Sequence, residues 1–267
     1  MLRLLERNIA SIEKRLVLVA PPNVSLPGAF TNVTSDRDRH KQLVEEMQRL
    51  RGSVYLQDGA VQPHQLTADG LHRTAEDERS WHLLMLNSRQ KVSSCAWYME
   101  HDEEARFEHL RVRSCALAQA ADWRDRLPEA IDSELRRARE AGLRYAEVGG
   151  WAVAKGSRCT SEGLLLALAA YSLGRRLGGV LGLTTATVRH SSSTILRRLG
   201  GSLLEVGGAI VPPYYDPKYK CEMELLRFDS RRPSPKYDGL IDLLGKRLGH
   251  VSVVVTGTAA AQPRVAA

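Results

Sequence analysis

The sequence contains few cysteines, the residues whose disulfides stabilise small extracellular domains. Its four cysteines, Cys95, Cys115, Cys159 and Cys221, are widely spaced and include no CxxC pair. Zinc sites and disulfide frameworks use closely spaced cysteines, so the spacing indicates neither. We therefore expect reduced thiols and no bound metal, which is typical of a cytoplasmic protein.

Long apolar runs are also lacking near the N-terminus. Between Met1 and Pro22, arginine, lysine and glutamate residues interrupt the apolar ones. This stretch has neither the apolar core of a secretory signal nor the length needed to cross a bilayer. We expect a cytoplasmic chain with no transmembrane segment.

Aromatic residues make up only 6% of the chain. A platform for single-stranded nucleic acid interleaves basic residues with aromatic rings on which bases stack, and no segment here has that pattern. The formal net charge of +7 still favours an acidic partner. Nucleic acid is the weaker interpretation of that charge, and a basic nucleic-acid binder is kept only as an alternative.

What is present suits a globular protein. The 267 residues, 43% of them hydrophobic, can bury the core of one large domain or of a domain with an appendage. We expect a helical N-terminal extension over residues 1–28 and a main domain over residues 29–255. The small and polar residues 256–267 predict a disordered tail.

Apolar periodicity predicts alternating helices and strands along the main domain. A helix follows Ser35 or Asp36, either of which can cap it. The polar residues 58–80 have no period and predict a long loop, a kind of segment that is often functional. A hairpin then precedes a predicted third strand over residues 106–115, and residues 202–230 predict two further strands around a turn rich in proline and tyrosine.

The segment AEVGGWAVAKGSRCTSEGLLLALAAYSLGRRLGG, residues 146–179, predicts a strand, a polar loop and a long helix. Gly149 and Gly150 interrupt the strand, which indicates a bulge or the close approach of another group. Ser161 can cap the helix, whose first N–H groups suit an anion. A buried strand follows, and we find no internal repeat.

This order of elements resembles the GNAT (acyl-CoA N-acyltransferase) fold, an α/β fold whose central mixed sheet has splayed strands and is flanked by helices. Within that family the sequence looks like the branch of N-acyl amino acid synthases and acyl-homoserine lactone synthases. Residues 51–57, RGSVYLQ, look like the Arg-x-x-Val-Tyr/Phe helix end of that branch. Residues 66–86, LTADGLHRTAEDERSWHLLML, look like its acidic segment. The similarity covers roughly residues 30–250.

Two further segments look like parts of this branch. Residues 145–153, YAEVGGWAV, look like its Glu-x-x-Arg-x-x-Val strand, with Glu147 at the glutamate position and Gly150 where arginine is usual. Residues 212–230 resemble the N-acyl amino acid synthases more closely than the lactone synthases. The resemblance implies an N-acyltransferase that moves a long-chain fatty acyl group from acyl carrier protein, or from CoA, to the amino group of an amino acid.

In such an enzyme Glu147 would be the general base for the attacking amine. The main-chain amides of Gly150, Trp151 and Ala152 would stabilise the negative oxygen of the thioester. Two plainer interpretations stay open. Glu147 could be a structural carboxylate paired with a neighbouring arginine, and the glycines could simply bend the strand.

The donor would be held at the start of the long helix. The loop KGSRCTSEG lacks the glycine pattern with which related acetyltransferases wrap a pyrophosphate, but the single phosphate of a carrier protein needs less. The predicted phosphopantetheine-binding residues are Ser157, Arg158, Thr160 and Ser161. An acidic acyl carrier protein would dock on basic residues, and this steering would weaken with salt. The basic residues considered for that surface are Arg136, Arg137, Arg175, Arg176, Arg197, Arg198, Lys155 and Arg189.

The acceptor or the acyl chain would lie near residues of two other segments. Asp77, Arg79 and His82 are candidates for recognising the acceptor, and Tyr214 and Tyr215 for lining the acceptor or acyl pocket. The alternatives are solvated loop charges and aromatics that pack a turn. The resemblance implies no bound cofactor, since the acyl-phosphopantetheine donor is a substrate. Three other functions stay open: an acyl-homoserine lactone synthase, a CoA-dependent N-acetyltransferase, and a non-catalytic module that binds acyl carrier protein.

Overall fold

A computed structural model describes residues 2–257 of the chain, apart from positions 23, 25, 27 and 190. The tail predicted over residues 256–267 lies, except for its first two residues, outside the described part. Within the described part, no helix combines the length and the apolar character that crossing a membrane requires.

The chain alternates helices and strands. The helices are α1 (Leu2–Ala10), α2 (Arg37–Gln57), α3 (Ala116–Gln119), α4 (Arg126–Glu140), α5 (Glu162–Arg176), α6 (Ser192–Arg198) and α7 (Pro235–Leu248). The strands are β1 (Leu16–Val19), β2 (Val33–Ser35), β3 (Trp81–Leu86), β4 (Val92–His101), β5 (Arg144–Val153), β6 (Val180–Thr187), β7 (Ser202–Leu203), β8 (Glu205–Val206), β9 (Ala209–Ile210), β10 (Tyr214–Asp216), β11 (Cys221–Asp229) and β12 (Ser252–Val255).

The chain divides into two compact units. Unit 1 comprises Met1–Met99, Gly150–Leu177 and Gly239–Ala267, and unit 2 comprises Glu100–Gly149 and Gly178–Asp238. Each unit contains a mixed sheet with helices packed on it. Strands β4 and β5 contribute residues to both units.

In unit 1 the central strand is β1. It pairs antiparallel with β3 and parallel with β12. Strand β12 continues in parallel to β2, and β3 continues antiparallel to β4. Residues 2–28, which we expect to form an extension, thus include a strand of this sheet. The division of the chain after residue 28 stays a prediction.

The core of unit 1 lies between this sheet and α2. Leu43 and Met47 of α2 pack in one cluster with Val19, Leu84 and Val254 from three strands. Full burial of such a side chain contributes roughly 1.5–3 kcal/mol. Of the two caps foreseen for α2, the structure selects the aspartate, because Asp36 Oδ1 accepts from the main-chain N of the third helical residue at 2.8 Å.

Unit 2 is built on β5, β6, β11 and β10. β5 and β6 are parallel, whereas β6 with β11 and β11 with β10 are antiparallel. The amphipathic helix α4 covers this sheet: Leu127, Ile131 and Leu135 pack in one cluster with Leu181 and Leu183 of β6. The long helix, the glycine-interrupted strand and the buried strand predicted over residues 143–187 therefore form where the sequence places them.

The prediction of a third strand over residues 106–115 is wrong. This segment forms two short 3₁₀ turns, Phe107–His109 and Arg111–Ser114. Leu110 and Val112 are buried as a strand pattern requires. The main-chain amides of Arg111 and Val112, however, donate to a glutamate side chain rather than to a neighbouring strand.

Residues 202–230 form five strands rather than two, from β7 to β11. Strands β8 and β9 make a separate hairpin. Gly207 and Gly208 connect them with φ angles of +55° and +77°, which the tight hairpin turns of this class require. The Gly-Gly pair between short apolar runs was a readable signal for this hairpin.

Candidate active site

Position 150 of β5 accepts no side chain. Gly150 has a φ of +62°, and a Cβ atom built on it would lie 2.2 Å from Cδ1 of Trp97. Trp97 is buried, so its indole has no space to move into. The left-handed conformation and the close approach both require glycine. The arginine that is usual here in the resembling branch therefore has no room, because Trp97 occupies its place.

The parallel ladder between β5 and β6 ends before the strands do. Its last residue pair is Glu147 with Leu183, whereas β6 continues to Thr187. Thr184 Oγ1 donates to the main-chain O of Val148 at 2.6 Å, so a side chain takes the place of the next ladder bond. The pairing of the two strands thus stops directly after Glu147, where the resemblance implies that the central strands splay.

The carboxylate of Glu147 is engaged by three donors. Its Oε2 accepts from Nε2 of His101 at 3.0 Å and from the main-chain N of Arg111 at 2.7 Å. Its Oε1 accepts from the main-chain N of Val112 at 2.8 Å. Glu147 is 5% exposed, and His101 at the end of β4 exposes only 1% of its side chain. A buried carboxylate and imidazole therefore hold the turn Arg111–Ser114 against β5.

These contacts bear on both interpretations of Glu147. A carboxylate offers about four acceptor positions, and three are used here, which suits a structural anchor. The partners are a histidine and two main-chain amides, not the arginine that the structural interpretation foresaw. The role of Glu147 as a general base stays a prediction. Its neighbour His101, which carries acid–base chemistry of its own, was not singled out from the sequence because a lone histidine after an apolar run gives no specific signal.

The three residues predicted for oxyanion stabilisation follow on β5. The O of Gly150 accepts from Cys95 Sγ at 3.5 Å, and the O of Trp151 accepts from the hydroxyl of Tyr55 at 3.5 Å. Burial raises the pKa of Cys95 to about 12, so the thiol stays protonated. The role of the amides of Gly150, Trp151 and Ala152 in stabilising the negative oxygen stays a prediction.

The predicted phosphate-binding loop is held by contacts within unit 1. Arg158 donates from Nη2 to both carboxylate oxygens of Asp58 at 3.2 Å. Ser161 Oγ accepts from Nδ2 of Asn8 at 2.7 Å, so its side chain does not cap α5. Thr160 Oγ1, one residue before it, accepts from the main-chain N of Glu162, the first residue of α5, at 3.2 Å. Ser157 ends a 3₁₀ turn before this loop.

Glu162, the first residue of α5, forms a second buried carboxylate site that the sequence did not reveal. It makes an ion pair with Arg15. Its Oε2 accepts from Ser93 Oγ at 3.0 Å and Ser94 Oγ at 3.2 Å. An acidic residue in the first turn of a helix is favoured by the helix dipole. Together with Asn8, these contacts attach the N-terminal segment to the loop before α5.

The predicted acceptor segment is dominated by the ion pair of Arg51 with Asp77. Arg51 is 1% exposed and donates from Nη1 to Asp77 Oδ1 at 2.8 Å and from Nη2 to Oδ2 at 2.7 Å. His82 is buried too, and its Nε2 bonds to the main-chain O of Asp77 at 2.9 Å. Burial lowers the pKa of His82 to about 4. Arg79 is exposed, so the structure does not bring Arg79 and His82 to one surface.

Tyr214 and Tyr215 on β10 face opposite ways, as neighbours in a strand do. Tyr214 is 8% exposed and Tyr215 is 60% exposed. Burial, together with the nearby Cys115 and Asp216, raises the pKa of Tyr214. Tyr214 belongs to the same apolar cluster as Cys115. The role of both tyrosines in binding the acceptor or the acyl chain stays a prediction.

Several of the basic residues considered for docking already have partners. Arg137 pairs with Glu134, Arg175 with Asp242 and Arg197 with Glu224. Their side chains remain a quarter to a half exposed. Within the described residues, no three side chains of His, Cys, Asp or Glu are grouped as metal ligands.

No family model and no curated protein matches the sequence. Solved structures do match it. A CoA-dependent acyl-homoserine lactone synthase, BjaI, with MTA is 14% identical, with a TM-score of 0.54 over 94% of this chain and 95% of that chain. The same enzyme with SAM and isopentyl-CoA gives a TM-score of 0.53 at the same identity and coverage. The chain has the GNAT acyltransferase fold.

A further match is FeeM, an N-acyl amino acid synthase from uncultured soil microbes, which is 13% identical over 76% of this chain and 90% of that chain, with a TM-score of 0.44. At such identities the likeness to BjaI establishes the fold. The predicted fold class, a mixed sheet with splayed strands and flanking helices, is confirmed.

Proposed function

We propose that the protein is an acyltransferase that moves an acyl group from a phosphopantetheine thioester to the nitrogen of an amine. The observation that carries the proposal is the interrupted pairing of β5 with β6 directly after the buried Glu147. It occurs in a chain that has the GNAT fold over 94% of its length. A parallel pair that separates in mid-sheet exposes main-chain groups to which an extended donor arm can bond.

The reaction needs three things from the protein. The amine nitrogen attacks the thioester carbonyl, the C–N bond forms, the C–S bond breaks, and a proton from nitrogen must leave. Glu147 and His101 are the groups assigned to the proton. The amides of Gly150, Trp151 and Ala152 are assigned to the negative oxygen, as the resemblance implies.

For the donor we propose an acyl carrier protein, with CoA as the alternative. Arg158 is 37% exposed in its side chain and lies two residues after Gly156 at the loop that precedes α5. A guanidinium beside a helix N-terminus suits one phosphate. Because Arg158 is already oriented by Asp58, a phosphate would replace that carboxylate without reorganising the loop. The formal charge of +7 supports an acidic carrier protein as the partner.

For the acceptor we propose an amino acid, as the sequence resemblance implies for residues 212–230. The second candidate is S-adenosylmethionine, with acyl-homoserine lactone as the product. It is favoured by the likeness to BjaI, which was solved with SAM and isopentyl-CoA. The two candidates differ only in the acceptor and share the proposed thioester chemistry.

The test is a matrix of donors and acceptors read by mass spectrometry and by release of free thiol. Long-chain acyl carrier protein and the matching acyl-CoA are each combined with a pool of amino acids or with S-adenosylmethionine. An N-acyl amino acid formed with the carrier protein is the expected product. A lactone would select the second candidate, and product from acyl-CoA alone would exclude the carrier protein. Binding of the carrier protein without thiol release in any combination would overturn the proposal in favour of a non-catalytic module.

A further inference from the structure

The pair of Glu147 with His101 fixes which nitrogen of the imidazole carries a proton. The main-chain amides of Arg111 and Val112 can only donate, so both carboxylate oxygens of Glu147 must accept. An ionised carboxylate is the form that meets this requirement. Nε2 of His101, 3.0 Å from Oε2, is then the protonated nitrogen. In the neutral ring the lone pair lies on Nδ1.

The same contacts disfavour protonation of the Glu147 carboxylate. A proton on either oxygen would compete with N–H donors at 2.7–3.0 Å. Two of these donors belong to the main chain of a turn whose residue Val112 is packed in the core of unit 2. Protonation of either oxygen would deprive such a buried donor of its acceptor. The imidazole beside it can take a proton without losing any of these bonds.

We propose that His101 is the group that accepts the proton of the attacking amine, through Nδ1, and that Glu147 is the positioning residue that fixes its tautomer. The inference rests on the proposed acyl transfer. Glu147 and His101 then act as a carboxylate–histidine pair. Glu147 orients the ring of His101 and stabilises the imidazolium that forms.

His101 takes up the proton of the amine and later returns it, so the reaction needs no other proton donor or acceptor. As the amine nitrogen forms its bond to the carbonyl carbon, one N–H proton moves to Nδ1 of His101, and the ring becomes a cation beside the carboxylate of Glu147. When the C–S bond breaks, the same proton is given to the leaving sulfur, which departs as the free thiol. The ring returns to its neutral form, and no other reactant is needed.

Two ionisable residues lie directly beside His101, and a nearby ion pair acts on one of them. Glu147 and Tyr145 lie on β5, with the Tyr145 ring centred 6.5 Å from the imidazole. Glu134 on α4 and Arg227 on β11 form an ion pair at 3.1 Å and act on the Tyr145 hydroxyl. Burial raises the pKa of Tyr145, so this residue stays neutral. Glu147 is therefore the charged group that contacts the His101 ring directly.

The first test is the substitution His101→Gln. The glutamine amide can still donate to Glu147 from the place of Nε2 but has no basic lone pair. We expect kcat to fall about 100-fold or more, as for loss of a general base, with KM for the donor and the unfolding midpoint little changed. The limb of the wild-type pH profile that reports the base should disappear. His109→Gln, an exposed histidine in the same segment, is the matched control and should keep the wild-type profile.

The second test does not depend on activity. In protein labelled with ¹⁵N at histidine, the His101 signals are assigned by their loss in His101→Gln, and the shifts of the two ring nitrogens report the tautomer. The inference requires the tautomer with the proton on Nε2. It is overturned if the proton lies on Nδ1, or if an active wild-type enzyme keeps its kcat and pH profile in His101→Gln. A wild type without turnover with every donor and acceptor would instead remove the proposed function, whatever the tautomer.

Discussion

Two buried carboxylates, Asp77 in unit 1 and Glu147 in unit 2, accept a similar set of hydrogen bonds but from different kinds of side chain. Asp77 in unit 1 accepts from Nη1 and Nη2 of Arg51 at 2.8 and 2.7 Å and from Gln48 at 2.9 Å. A guanidinium does not release its proton in proteins, so Arg51 cannot exchange a proton with Asp77. Glu147 in unit 2 has a histidine at the corresponding place. An imidazole nitrogen can accept or donate, whereas a guanidinium only donates, so the direct partner of Glu147 can take up a proton and that of Asp77 cannot.

The largest effect should come from breaking the network of Asp77 with Arg51. Asp77→Asn leaves the guanidinium of Arg51 buried without its counter-charge, so the free energy of unfolding should fall by about 3–5 kcal/mol. Urea unfolding measures this directly. Asp69→Asn is the matched control, because the ion pair of Asp69 with Arg49 is long, at 4.0 Å, and lies on the exposed surface. An equally small effect at both positions would show that Asp77 does not hold the loop.

Lowering the pH should weaken the same network, and the free energy of unfolding should fall with it. Burial acts to raise the pKa of Asp77, but the hydrogen bonds and charge of Arg51 outweigh it and hold that pKa below its usual value. A carboxylate with a lowered pKa contributes stability above its unfolded value and loses it as the pH falls through the folded one. We expect the wild type to lose stability below about pH 4 and Asp77→Asn to lose less over that range.

Protonation of His82 gives the next largest effect. Its ordinary pKa of 6.5 is lowered to about 4, chiefly by burial, and its Nδ1 has no partner in the described chain. The unfolded state therefore binds the proton first, and stability should fall by about 3 kcal/mol between pH 7 and pH 4. His82→Gln keeps a donor for the O of Asp77 but does not titrate, so its stability should vary less in this range. Parallel curves for the two proteins would refute the assignment.

A smaller loss is expected from Glu147→Gln. The new amide presents an N–H to main-chain donors of Arg111 or Val112, so at least one buried group loses its partner. The expected cost is about 1–3 kcal/mol. Hydrogen exchange at these two amides should rise more than exchange elsewhere in unit 2. Unchanged protection there would mean that the turn is held by its apolar contacts alone.

The contrast between the networks also shows what the sequence could reveal. Period and glycine placement predicted α2, α5, β5 and β6, because each of these depends on neighbours within a few positions. The partners of Glu147 lie 35 to 46 positions away in the chain, and Trp97 meets Gly150 only through the sheet. A strand pattern such as that of residues 106–115 failed for the same reason: a distant side chain, rather than a strand, satisfies its amides.

Candidate residues were found more easily than their partners. The sequence singled out Glu147 and Arg158 through the resemblance, and both lie in ordered polar contacts. It did not single out His101, Asp58 or Asn8, since a lone polar residue far along the chain carries no spacing signal. The sequence named His82 as an acceptor candidate through the resemblance, but it gave no sign that this residue is buried.

The smallest effect on stability, and a selective effect on the donor, is expected at Arg158. Its pair with Asp58 is partly exposed, with side-chain exposures of 37% and 22%, so Arg158→Ala should change the free energy of unfolding by less than about 1 kcal/mol. If Arg158 holds the donor phosphate, KM for the acyl donor should rise severalfold at nearly constant kcat, because the contact lies away from the reacting atoms. Asp58→Asn supplies the opposite change. It removes the carboxylate that competes for the guanidinium, so KM for the donor should stay the same or fall. Equal increases in KM for both variants would mean that the pair acts only by ordering the loop, and a fall in kcat alone would place Arg158 among the groups that act on the transition state.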